Sequence, residues 1–177
     1  MGPGDWLQEQ LFKRRIVPVT GRLDHDVAAK AAASLMALDA DSDRQIELHL
    51  DCPDGALEAA FVLIDAVTAL RAMLRVRCRA QVGGPAVGVV AAADHRAAAP
   101  HARFHLSQPT ARFAGTPNEI ATRSRQQQDL LWQLYALLAR RTSRPAEEIA
   151  EDMRRGRYLD AREALEYGLI DEISGAT

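Results

Sequence analysis

The chain has 177 residues, is 47% hydrophobic, and sets 22 Lys plus Arg against 24 Asp plus Glu for a formal charge of −2. That length supports one domain with a real core rather than two, and the missing basic surplus argues against nucleic acid or anionic lipid as a partner. The two cysteines, Cys52 and Cys78, lie in separate apolar segments without metal-ligand spacing. Neither a disulfide framework nor a zinc site is expected, no cofactor is implied, and two buried thiols in a reducing cytoplasm is the reading.

Residues 1–15 read as an N-terminal segment with no apolar stretch of signal-peptide length, ahead of one domain over 16–177. "RIVPVTG" is a β-branched run ended by Gly21, and "DHDVAAKAAASLMALDA" has helical spacing behind an aspartate that can cap. "DSDRQIELHLD" alternates Ile46, Leu48 and Leu50 with Glu47, His49 and Asp51, a half-buried strand closed by the turn residues of "CPDG". "ALEAAFVLIDAVTALRAM" repeats apolar residues three and four apart, as a helix does, and "LRVRCRAQV" alternates arginine with apolar residues, as a strand does. "QVGGPAVGVVAAAD" then supplies a glycine-rich turn and an Ala-rich helix that presents Ala86 at its start.

Strand and helix alternate, which predicts an α/β fold with a mostly parallel sheet built from right-handed βαβ units. "HARFHLSQP" reads as one more strand, followed by a loop around Gly115 and Pro117 and a long helix from about Asn118 to Thr142. A helix of that length on a small domain is expected to pack against a neighbouring subunit as well as its own core. Two shorter helices follow. Ser143 with Pro145 and Glu147 marks the first start, Asp160 with Glu163 the second, and Gly168 the last stop.

Several of these segments together resemble the ClpP family of self-compartmentalised serine proteases. "GRLDHDVAAKAAASLMALDADSDRQIELHLDCPDGALEAAFVLIDAV" is similar to the family's opening strand and helix, its strand ending in Ser-Pro-Gly-Gly, and the helix after it. "RFHLSQP" resembles the strand that carries the catalytic histidine before Gln-Pro, and "IAEDMRRGRYLDAREALEYGLIDEI" resembles the C-terminal segment. The likeness runs from about Ile16 to Ile173 and implies the ClpP/crotonase fold of stacked βαβ units.

The chemistry that the resemblance would bring is altered. A serine protease needs a hydroxyl nucleophile, an imidazole base and an orienting carboxylate. The positions matching them here are Ala86, Ser107 and Gly156, and no serine occurs between Ser42 and Ser107. His105, two residues before Ser107, is expected to be structural or exposed, and Asp152 and Asp160 to cap helices or lie in solvent. The matching oxyanion-hole amides are those of Gly55 and Val87; Asp54 replaces the first glycine of the family's pair, and its carboxylate would oppose a developing negative charge.

The family also docks an unfolding ATPase through a greasy apical pocket. The matching positions are Glu47, His49, Ala97, Ala99 and Ser174, which implies weak or no ATPase docking through this subunit. The resemblance thus implies a catalytically inactive, structural or regulatory ring subunit, as a homo-oligomer or mixed with active paralogues. "GGPAVG" with "AADHRAAAPHARF" also resembles the crotonase segment whose amide polarises a coenzyme A thioester, an alternative that needs no nucleophile. A scaffold that binds peptides without cutting them is a third reading.

Overall fold

The structure, a computed structural model, describes residues 2–175. Five strands run parallel in the order β1 (Ile16–Thr20), β2 (Ile46–Cys52), β3 (Leu74–Gly83), β4 (His95–Ala98) and β7 (Glu172–Ile173). Helices α2 (His25–Asp41) and α3 (Leu57–Thr68) make the crossovers that parallel pairing requires. Asp24 caps α2 by accepting a hydrogen bond from the Val27 N–H. Strand β2 buries Ile46, Leu48, Leu50 and Cys52 against the helices and leaves Glu47, His49 and Asp51 half-buried on the other face.

Strand β3 serves two partners. Arg75 to Cys78 pair with β4, whereas Gln81 to Gly83 pair with β5 (Arg103–Leu106). The break falls at Ala80, whose φ of +44° is in the left-handed region that side chains avoid. There the register against β2 also slips, between Leu50 and Cys52, as at a β-bulge. The bend turns the end of β3 toward a smaller unit in which β5 pairs antiparallel with β6 (Arg157–Asp160).

Helix α4 (Ala86–Ala92) follows β3, and α5 (Pro117–Thr142) lies across it. Gly88 permits this approach, because a Cβ there would stand 2.4 Å from Leu134 Cδ1 and 3.0 Å from Ile64 Cδ1. Helix α5 buries only Leu134, Tyr135, Leu138 and Thr142; most of its first half is exposed, and Trp132 is 48% exposed. Helices α6 (Ala146–Arg155) and α7 (Ala161–Tyr167) complete the C-terminal part.

Several elements depart from the sequence expectations. Residues Pro3–Lys13 form a helix, α1, where only a segment was expected. Strands β4, β6 and β7 have four, four and two residues, too short for a visible period. Ser143 does not start α6; it ends α5 in the left-handed region at φ +57°, and Pro145 stands at the N-cap of α6. Asp160 and Glu163 form the expected capping box of α7, and Gly168 ends that helix at φ +86°.

Candidate functional site

The glycine-rich turn is the junction where the bent strand meets helix, sheet and the antiparallel β5–β6 pair. Gly84 turns at φ +56°, and its N–H donates to the His105 carbonyl over 3.0 Å, tying the turn to β5. The Gly88 N–H donates to the Pro85 carbonyl over 3.0 Å as α4 begins. Residues 82–91 are buried without interruption, and Ala86 has 0% exposure. Within the protomer, no solvent path reaches its methyl group.

Ser107 and Gly156 come to the same end of this unit. Strands β5 and β6 pair Leu106 with Arg157, so the next step of the antiparallel register sets Ser107 against Gly156. Ser107 Oγ lies 3.8 Å from the Cβ that Gly84 would carry. Gly156 ends α6 at φ +70°, a conformation suited to glycine, and a Cβ there would stand 3.4 Å from His105 Nε2. The imidazole of His105 is stacked on Tyr158, with centroids 3.9 Å apart and planes 3° from parallel, which agrees with a structural role.

The nearby carboxylates have other work. Asp160 accepts from the Glu163 N–H as an N-cap, as expected. Asp152 neither caps nor faces solvent; it accepts the Tyr167 hydroxyl at 2.8 Å and pairs with Arg157 Nη1 at 3.3 Å, with its side chain 14% exposed. Burial first, and then this bond to Asp152, push the Tyr167 phenol above its ordinary range.

The two amides singled out in the sequence differ in availability. Leu23 bridges the Gly55 segment by donating to the Asp54 carbonyl (3.0 Å) and accepting from the Ala56 N–H (2.9 Å). The Gly55 N–H is left without a backbone partner among the described residues. The Val87 N–H instead points at the Gly84 carbonyl over 3.3 Å, a long bond that an incoming oxygen would have to displace. Asp54 does not stand as an open negative charge, because Arg22 Nη1 pairs with it at 2.5 Å.

The face of the sheet bearing Glu47 and His49 is a cross-strand charge network rather than a simply solvated surface. Glu47 pairs with His49 Nε2 and with Arg77 Nε, each at 3.0 Å, while Arg75 on β3 pairs with Glu172 on β7. Burial would raise the Glu47 pKa, but the hydrogen bond with His49 and the positive charge of Arg77 hold it below its ordinary value. Ala97 is fully buried, and Ala99 and Ser174 are half-buried at the β4 and β7 ends. The sequence reading did not assign a role to Arg75, Arg77 or Glu172, although the alternating arginines of "LRVRCRAQV" were the available clue.

A bent parallel strand that feeds a glycine-rich turn and a buried helix, with the antiparallel β5–β6 pair converging on the turn, defines an α/β protein of the ClpP/crotonase fold class. Within that class the family model for Clp protease matches residues 5–177. The chain belongs to the Clp protease family. It is 31% identical over 173 residues, 96% of this chain and 88% of the relative, to ATP-dependent Clp protease proteolytic subunit 2 of Rhodococcus jostii (strain RHA1). It is 32% identical over 170 residues, 94% of this chain and 88% of the relative, to proteolytic subunit 4 of the same organism. No helix among the described residues is long and apolar enough to cross a membrane.

Proposed function

We propose that this chain is a noncatalytic subunit of a Clp-type ring, with a structural or regulatory role and cytoplasmic. One observation carries the reading. The turn where a nucleophile would stand presents the fully buried methyl of Ala86, with Ser107 and Gly156 converging on the same end of the sheet. A methyl group cannot attack a carbonyl, and neither a serine hydroxyl nor a glycine can replace an imidazole–carboxylate pair. Gly83, Gly84 and Gly88 then preserve the packing of the turn.

The relatives are proteolytic subunits, which supports membership of an assembly, either with copies of itself or with active paralogues. Exposed Trp132 and the exposed first half of α5 offer surface for such contacts. The polar character of Glu47 and His49 supports weak ATPase docking through this subunit. The thioester reading keeps one support, the unpartnered Gly55 N–H, but the engaged Val87 N–H weighs against a paired amide site. No thermal stabilisation by a panel of acyl-CoAs would remove it.

The test of the noncatalytic reading is hydrolysis of casein and of a fluorogenic peptide by the purified protein. No cleavage above buffer is expected. Cleavage abolished by a serine-reactive inhibitor would overturn the proposal.

A further inference from the structure

One carboxylate covers the glycine-rich turn. A Cβ on Gly84 would stand 2.8 Å from Asp54 Oδ1 and 3.8 Å from Ser107 Oγ, so the Asp54 side chain lies directly over the turn, on the side where Ser107 stands. Its other oxygen, Oδ2, accepts from Arg22 Nη1 at 2.5 Å. The carboxylate is therefore held at one oxygen and aimed at the turn with the other, which no donor engages among the described residues.

The backbones beneath the two side chains are fixed. The Gly21 N–H donates to the Asp51 carbonyl at 2.9 Å, the Leu23 N–H to the Asp54 carbonyl at 3.0 Å, and the Ala56 N–H to the Leu23 carbonyl at 2.9 Å, around the bridge between Leu23 and Gly55. The side chains are not so held: those of Arg22 and Asp54 are 56% and 53% exposed, and an ion pair that open to water is weak and screened by salt. Clearing the turn takes the rotation of two side chains and no movement of the main chain. Next to Asp54, the buried Gly55 N–H is without a backbone partner and can donate to a peptide carbonyl. We infer that Asp54, latched by Arg22, is a stopper that keeps extended polypeptide off the glycine-rich turn, and that releasing the latch opens it. The inference goes beyond the noncatalytic reading and does not depend on it: casein hydrolysis by the purified protein would refute that reading and leave this one standing.

Ser107→Cys places a reporter thiol beside the stopper, with the native Cys52 and Cys78 buried and silent. Its alkylation by iodoacetamide is followed against pH, because the plateau rate at full ionisation reads access while the midpoint reads charge. In the reporter background, Arg22→Gln and Asp54→Asn should each raise the plateau about threefold or more. An effect of charge alone would leave the plateau unchanged and move the midpoint in opposite directions, up for Arg22→Gln and down for Asp54→Asn. A plateau unchanged in both variants would overturn the stopper. Anisotropy of fluorescein-labelled casein tests what is kept out: Arg22→Gln, with Ser107 restored, should bind it about threefold more tightly, although losing a positive charge would by itself weaken binding of this acidic protein. Equal or weaker binding would overturn the assignment of polypeptide as the excluded ligand.

Discussion

Replacing Gly83 with alanine would place a Cβ 2.2 Å from the Pro53 carbonyl oxygen, 3.1 Å from its carbon and 3.2 Å from His105 Cβ. A carbon–oxygen contact relaxes only near about 3.3 Å, so the two backbones must separate by roughly 1 Å. Neither side can yield alone. Gly83 pairs in register with His105, the next N–H bonds the His105 carbonyl, and Pro53 directly follows Cys52, which pairs with Val82. Overpacking costs about 1–3 kcal/mol, and the loss of two strand hydrogen bonds adds about 1 kcal/mol each, giving roughly 3–5 kcal/mol. Gly88→Ala is the internal comparison. Its obstacles are the ends of Leu134 and Ile64, which can rotate, and alanine recovers about 1 kcal/mol of helix propensity, so about 0–2 kcal/mol is expected. Urea denaturation followed by circular dichroism at one fixed protein concentration measures both. Gly83→Ala within about 0.5 kcal/mol of the parent, or milder than Gly88→Ala, would refute the claim that this turn is wedged between backbones.

Arg15 is 5% exposed and donates to the carbonyls of Gln45, Ser42 and Arg44 and to Asp41, closing the end of α2. Arg15→Met should therefore cost about 2–4 kcal/mol in the same denaturation assay, through carbonyls left without donors. Burial first raises the Cys52 thiol, to about 12, and raises Cys78 further still; a thiol-reactive chromogen at neutral pH should label neither cysteine until denaturant is added. Burial favours a raised pKa for Asp171, but hydrogen bonds from Arg96 hold it below the ordinary 3.8. The unfolded chain then takes up protons first as pH falls. The stabilisation is present above the unfolded value and is lost through the lower folded one, so the urea midpoint should drop below about pH 4, with a shallower drop in Asp171→Asn.

The α/β order was legible because β2 and α3 have clean periods of two and three to four, and Asp24, Asp160 and Gly168 cap or stop helices by local chemistry. The short strands β4 and β7 were not, since four Ala-rich residues and two residues carry no period; tertiary pairing alone makes them strands. Ser143 misled because a serine ahead of Pro145 has the composition of a helix start, while the chain uses it to leave α5. At the candidate site, Ala86, Ser107 and Gly156 could be named from motif positions, but the approach of Ser107 and Gly156 to the glycine-rich turn depends on the bend at Ala80. The pairing of Glu47 with Arg77 depends on parallel register between β2 and β3, which joins residues far apart in the chain. The Arg22 partner of Asp54 was hidden for the same reason.

The noncatalytic reading meets its most direct test in intact-mass spectrometry after treatment with a fluorophosphonate, which marks activated serine hydroxyls whatever substrate the protein prefers. Ala86 offers no oxygen, and Ser107 lacks an imidazole–carboxylate pair to activate it, so the mass should be unchanged under conditions that modify an active serine protease completely. A stoichiometric adduct mapped to Ser107 would contradict the account.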